Sequence, residues 1–264
     1  ADCLQQNPDL KFVYTDEDKI DQKGLRYEPH FKPDYNHALL LSLNYLNHLV
    51  AIKKALIQEI GGFRLELEGA QDYDLFLRCV ERISPQEIFH IPFPLYSWRS
   101  SRGSTAFAPE EKGYVDKAGI QALADYFERT GMEVSVSQGL VPTTYRTKRI
   151  SPKLNSLTSI IIPTRDGGEY LDRCLSSLFE FTKYPNFEVI ILDNGSTDPT
   201  TLELLADYQK RSLVTIIDSP GVFNYSALNN RGVEVSNGEL ICLLNDDIEV
   251  MNEGWLEEMS SLLV

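Results

Sequence analysis

The sequence predicts an α/β protein whose second half is a doubly wound, mostly parallel sheet. Three observations carry that prediction. SIIIP (159–163), FEVIILD (187–193), LVTIID (213–218) and ELICLLND (239–246) are short apolar runs rich in Ile, Val and Leu, the composition of strands buried on both faces. Helical stretches separate them: YLDRCLSSLFEFT (170–182), DPTTLELLADYQKR (198–211) and YSALNNRGVEVS (225–236). The strict β-α-β-α-β-α-β alternation then requires crossover connections, which parallel strands need and hairpins do not supply.

The first half has a more mixed pattern. DLKFVYTD (9–16) reads as a strand, and HLVAIKKALIQEIGGF (48–63) as a strand passing into a helix closed by Gly61-Gly62. AQDYDLFLRCVER (70–82) is a helix that buries Leu75, Phe76, Cys79 and Val80. EIFHI (87–91) and LYSWR (95–99) read as two short strands, and EEKGYVDKAGIQALADYFERTG (110–131) as a long helix stopped by Gly131. Residues 132–156 hold Gly139, Pro142, Pro152 and the polar stretch TTYRTKR, and read as a linker between a domain at 1–131 and another at 157–264.

The totals remove several function classes. A net charge of -14 over 264 residues argues against a nucleic-acid binder, whose surface must neutralise phosphates. It leaves room for one bound nucleotide, since a metal ion bridges protein carboxylates to a diphosphate. With no apolar run of membrane length and no basic-then-apolar start, neither a transmembrane span nor a signal peptide is expected. The four cysteines, Cys3, Cys79, Cys174 and Cys242, are scattered and form no C-x-x-C pair. Buried free thiols in a reducing cytosol are therefore expected. No G-x-G-x-x-G is present, so a dinucleotide oxidoreductase lacks its fingerprint.

Candidate chemistry gathers where strands end. Asn245-Asp246-Asp247 closes the fourth apolar run of the second half. It reads either as oxygen donors for a hard cation such as Mg2+ or Mn2+ or as a polar turn with a helix cap. TRDGG (164–168) and DNGSTD (193–198) follow the first and second strands, at the crevice where open α/β sheets bind ligands. Asp193 is placed to accept hydrogen bonds from a nucleobase, while Ser196, Thr197 and Asp198 also read as caps. Asp72 stands at the mouth of the 70–82 helix, either as a charge stabilised by the helix end or as a general base for a hydroxyl. The acids of YTDEDKID (14–21) fail the calcium-loop spacing and are expected in a solvated loop. His90 is expected as a hydrogen-bonded core residue, and the aromatic residues of LYSWR as packing, with Arg99 in reach of a phosphate.

The segments SIIIPTRDGGEYLDRCLSSL, EVIILDNGSTD and NYSALNNRGVEVSNGELICLLNDDIEV resemble the nucleotide-binding half of a family 2 inverting glycosyltransferase with the GT-A fold, over residues 157–264. YTDEDKID, FKPDY, NYLNHLVAIKKALIQEIGGF, EGAQDYDLFLR and HIPFPLYSWR are similar to the half of the same family that follows the metal motif. Such sequences occur in large bacterial enzymes with tandem glycosyltransferase domains linked to surface polysaccharides. The chain then reads as the tail of one GT-A domain followed by the head of the next, or as a single permuted domain.

The resemblance implies roles. Pro163, Thr164, Arg165 and Asp166 lie against the nucleoside, with Asp193 on the base; Asn245 and Asp246 sit near ribose and diphosphate; and Asp247 is the metal ligand. Asp72 is the catalytic base, with Gln71 where the family has an acid. Asn245 also replaces an acid, which weakens the metal site. The implied partners are a nucleotide-sugar donor and a saccharide or lipid-linked acceptor. A cytoplasmic place with peripheral association at the inner membrane follows, as does pairing into dimers through the incomplete halves. A non-catalytic nucleotide- or carbohydrate-binding module and a ligand-free interaction fragment are the competing readings.

Overall fold

The computed structural model describes residues 7–99, 112–150 and 155–263. It divides into two compact units, Ala1–Ile150 and Ser151–Val264.

In the first unit, β1 (Phe12–Ile20) is the central strand of a four-stranded sheet. β2 (Arg26–His30) and β3 (Val50–Ile52) pair with it antiparallel along successive halves of one edge. Among the described residues three α-helices precede the last strand: α1 (His37–Leu40), α2 (Lys54–Glu59) and α3 (Gln71–Val80). β4 (Ile88–Arg99) pairs parallel to β1 along its whole length. The two short strands expected at 87–91 and 95–99 are therefore one. Thr15 faces Ile91, but Asp16 faces Pro94 and Glu17 faces Tyr96. The extra residues bulge out around Pro92 and Pro94, which have no N–H to give the ladder.

A larger correction concerns YTDEDKID. Its first seven residues lie within β1, and Asp16 and Asp18 are 1% and 6% exposed. The expected solvated acidic loop is a buried strand whose carboxylates are paired. Asp16 Oδ1 accepts from the Lys32 N–H at 2.9 Å and meets His90 Nε2 at 2.7 Å, while Arg26 Nε donates to Asp18 Oδ2 at 2.5 Å. His90 is buried and hydrogen-bonded, as the sequence suggested.

The helix α4 (Lys112–Thr130) covers α3; the expected start at 110–111 lies outside the described residues. The segment expected to be a linker contains an antiparallel hairpin, β5 (Val134–Gln138) with β6 (Tyr145–Arg149). Tyr145 is its anchor: the ring is buried and stacks on Tyr73 at 5.5 Å between centroids, and its N–H donates to Ser42 O at 2.7 Å. One aromatic side chain thus ties a polar ribbon to the first core. That core contains Phe12, Tyr14, Leu40, Leu46, Phe76 and Leu77.

The second unit follows the predicted alternation. β7 (Thr158–Thr164), β8 (Phe187–Asp193), β9 (Val214–Asp218) and β10 (Leu240–Leu243) are all parallel, in the order β10-β7-β8-β9. Between them run α5 (Gly168–Phe181), α6 (Pro199–Tyr208) and α7 (Tyr225–Val235), with α8 (Trp255–Ser261) after the last strand. Alternate residues separate two layers. Ile160, Ile162, Val189 and Ile191 pack with Leu171, Leu175, Leu205 and Leu256, while Ile161, Ile190 and Leu192 pack with Leu228 of α7. This is an α/β architecture with a parallel, doubly wound sheet, as the GT-A resemblance implied. Strand order reverses between β7 and β10, which makes the gap beyond their carboxyl ends the topological switch point. Cys79, Cys174 and Cys242 are free and buried, as expected; Cys3 lies outside the described residues.

Candidate functional site

At the switch point the loops after β7 and β10 meet. Thr164, buried at the end of β7 opposite Asp193 of β8, donates its hydroxyl to Asp246 Oδ2 at 2.6 Å. Gly167 permits this approach, since an added Cβ would lie 2.7 Å from Thr164 Oγ1 and 2.9 Å from Asp246 Oδ2. Pro163 is buried opposite Leu192, and Arg165 is exposed. Asp166 has a left-handed φ of 50°. Its Oδ1 accepts from the N–H groups of Thr197 at 2.6 Å and Asp198 at 2.8 Å, and these backbone bonds hold its carboxyl below the usual range. Asp166 therefore ties the β7 loop to the β8 loop.

Asp193 is buried, and its Oδ1 accepts from the N–H and hydroxyl of Ser196 at 2.9 and 2.6 Å. That leaves Oδ2 without a hydrogen-bonding partner among the described residues, as a base-recognising carboxylate requires. Asn245 is exposed, with Oδ1 3.4 Å from the Tyr225 hydroxyl, and Asp247 is exposed. Beneath them Cys174 donates its thiol to Asn245 O at 3.6 Å. Burial, then the charges of Asp246 and Asp247, push that thiol up to about 12. Cys174 is therefore a neutral floor rather than a nucleophile.

The donor set suits a hard cation. Asp247 has a carboxylate without a hydrogen-bonding partner among the described residues, Asn245 adds an amide oxygen, and Mg2+ or Mn2+ binds through one or two carboxylates plus substrate phosphates. The described residues contain no group of three His, Cys, Asp or Glu side chains able to hold an ion without such phosphates. Asn245 and Asp247 therefore fit a metal that arrives with a diphosphate, and do not form a self-sufficient metal centre.

A separate site lies in the first unit. Asp72 is the second residue of α3, half-buried, and its Oδ1 accepts from the Tyr73 N–H at 2.9 Å. It lines a cavity of about 760 Å3 together with Asn44, Asn47, His48, Trp98 and Tyr145. Gln71 Oε1 accepts from the Gly69 N–H at 2.7 Å and so closes the turn before the helix. Asp74 points away from the cavity, 0% exposed, and is held by Arg78 and Arg64.

The cavity wall was not visible in the sequence. His48 packs between Tyr96, stacked at 5.4 Å, and Trp98, tilted at 4.8 Å. Behind it Glu17 accepts from His48 N at 3.0 Å and Nδ1 at 2.8 Å, and pairs with Lys32 at 3.3 Å. Trp98, expected as packing, is half-exposed and faces this space. No local pattern marks Asn44, His48 and Trp98 as neighbours: Trp98 stands on β4, whereas Asn44 and His48 lie between α1 and β3.

Residues 159–263 match the model of Glycosyl transferase family 2. Over nearly its whole length the chain is similar to two bacterial proteins. It is 44% identical over 262 residues to the uncharacterized protein y4gI of Sinorhizobium fredii, covering 98% of this chain and 29% of that protein. It is 38% identical over 258 residues to the O-antigen biosynthesis protein RfbC of Myxococcus xanthus, covering 96% of this chain and 20% of that protein. The chain thus spans less than a third of either relative. Among solved structures, S. aureus TarS (residues 1–349) has a TM-score of 0.36 at 23% identity, over 40% of this chain and 32% of that one. A mannosyltransferase of Pyrobaculum calidifontis, in complex with GDP-Man and Mn2+, has a TM-score of 0.39 at 19% identity, over 43% and 34%. Residues 159–263 are thus similar to glycosyl transferase family 2, over less than half of the chain.

Proposed function

We propose that the chain transfers a sugar from a nucleotide-sugar donor to a saccharide or lipid-linked acceptor, with inversion at the anomeric carbon. One observation carries the donor half of this reading. The β7 and β10 loops are pinned together by Thr164 and Asp246, leaving Asp247 exposed and Asp193 Oδ2 unpartnered at the switch point of a sheet similar to that of family 2. Asp193 would receive the base, Thr164 and Asp246 would set the spacing of the ribose and diphosphate pocket, and Asn245 and Asp247 would hold Mg2+ or Mn2+. When bound, such an ion stabilises negative charge on a departing diphosphate.

Asp72 would be the base of the active site to which the first unit belongs; in the tail-and-head reading that is a different site from the one at Asp247, and the two share one only in the permuted reading. Asp72 would accept the proton of an acceptor hydroxyl as that oxygen bonds to the anomeric carbon, while the bond to the diphosphate breaks and its electron pair leaves with the phosphate. The likeness to an O-antigen biosynthesis protein supports a place in surface-polysaccharide assembly at the inner face of a bacterial membrane. Among the described residues no helix is long and apolar enough to cross a membrane.

The test is calorimetric titration of UDP, and in parallel GDP and dTDP, into the chain with and without Mn2+. Metal-dependent binding that Asp247→Ala loses and Asp72→Asn keeps is expected. Absence of nucleotide binding under all conditions would overturn the donor site. A non-catalytic binding module is the second reading, favoured by Asn245 in place of an acid. Nucleotide binding without transfer to any acceptor would select it.

A further inference from the structure

Beyond Trp98 the cavity over Asp72 adjoins a second one. It has about 340 Å3 and is lined by Glu17, Asp18, Glu28 and His30, and it shares Lys19 and Trp98 with the first. Both volumes fall within the roughly 300–1,000 Å3 of small-molecule sites. Each cavity also has a lining residue with a buried acceptor that no described residue satisfies. In the first it is Asn44 Oδ1; in the second it is Asp18 Oδ1, on a residue 6% exposed whose other oxygen is taken by Arg26 at 2.5 Å. Buried polar atoms are rarely left without partners, and an unpaired one calls for a donor from outside the chain.

The geometry points to adjoining subsites for a neutral oligosaccharide of at least two sugar units, with the reacting unit over Asp72 and the preceding unit beyond Trp98. This rests on the glycosyl-transfer reading and deepens it. Sugar hydroxyls are the donors that Asn44 and Asp18 lack. The Trp98 ring, which lines both spaces, offers the apolar face against which a pyranose packs.

Charge decides between neutral and acidic sugars. Glu17, Asp18 and Glu28 present carboxylates to the second cavity, and the nearby cations are already engaged. Lys19 pairs with Glu28 at 2.6 Å, Arg26 with Asp18 at 2.5 Å and Lys32 with Glu17 at 3.3 Å. A uronate or phosphate there would meet like charge with no free cation among these three to receive it.

The experiment uses the full chain without nucleotide or metal. Methyl glycosides of glucose, galactose, mannose and rhamnose, neutral disaccharides of the same sugars, and a glucuronate-containing disaccharide are titrated by saturation-transfer NMR. Trp98 fluorescence in a Trp255→Phe background gives affinities. At least one neutral disaccharide is expected to bind about tenfold tighter than its methyl glycoside, the effect of one added charged hydrogen bond. It should also bind at least about tenfold tighter than the acidic disaccharide. Trp98→Ala should abolish the saturation transfer and Trp98→Phe restore it. Equal affinity for one and two units, equal affinity for the uronate, no binding by any probe, or binding untouched in Trp98→Ala would each overturn the proposal. Nucleotide titration reads Asp247 and saccharide titration reads Trp98, so failure of one is told from failure of the other.

Discussion

Glu17 is the hinge of the cavity wall, and its replacement gives a prediction with a calculable size. Burial alone would raise its carboxyl. Instead, hydrogen bonds from His48 and the charges of His48 and Lys32 hold it down at about 2, against an ordinary 4.5. A group whose folded pKa is depressed contributes stability above its unfolded pKa and loses it as pH falls through the folded one. The window here runs from about 4.5 down to about 2. At about 1.36 kcal/mol per unit, the ionised carboxylate contributes about 3 kcal/mol near neutral pH, of which about 1.4 kcal/mol is gone by pH 3.5. Glu17→Gln should therefore cost the first unit about 3 kcal/mol. The cost is raised further because Lys32, whose ammonium is already disfavoured by burial, loses its counter-charge.

Urea unfolding followed by Trp98 emission in a Trp255→Phe background isolates the first unit. The comparison starts at pH 5.5, above the window in which Glu17 titrates. The difference between the two proteins should shrink by about 1.4 kcal/mol on going to pH 3.5. A difference that stays constant over that range, or one below about 1 kcal/mol at pH 5.5, would refute the account of Glu17.

The other expectations follow from equally specific contacts. Asp74→Ala leaves Arg78 and part of Arg64 without their buried partner, so the first unit should lose about 3–5 kcal/mol in the same urea assay; a loss under about 1 kcal/mol would contradict that. Gly167→Ala puts a methyl into the Thr164–Asp246 contact and should weaken nucleotide binding about tenfold with little change in circular dichroism, whereas unchanged binding would separate that contact from the donor site. Gly119→Ala would set a Cβ 1.8 Å from the Tyr145 hydroxyl. The overpacking cost of about 1–3 kcal/mol should exceed the roughly 1 kcal/mol gained in helix propensity, and a stabilised variant would argue against the docked hairpin. The outer edge of β10 has no partner strand among the described residues, and Ile241 and Leu243 are 38% and 52% exposed. Concentration-dependent self-association is therefore expected in sedimentation, and a monomer at every concentration would remove the pairing proposal.

What the sequence by itself determined is what depends on neighbours along the chain. The apolar runs at 159–163 and 187–193 are strands whose side chains are all buried except the half-buried Glu188, so composition alone marks them. Asp193, Asn245, Asp246 and Asp247 were legible as a group because a parallel sheet delivers all its strand ends to one side. Asp72 was legible because it opens a strongly amphipathic helix.

Only the tertiary structure decided the rest. The acids of β1 looked solvated because their partners are remote, His90 lying 74 positions from the Asp16 it meets. The segment from 132 to 156 looked like a linker because the contacts that dock its hairpin are remote in sequence: Tyr145 stacks on Tyr73, and Gln138 and the Thr143 N–H donate to Asp116. The wall of Asn44, His48 and Trp98 joins the segment between α1 and β3 to β4, a juxtaposition that carries no local signature. Periodicity reports which face of an element is buried; it does not report what a polar side chain will find when it gets there.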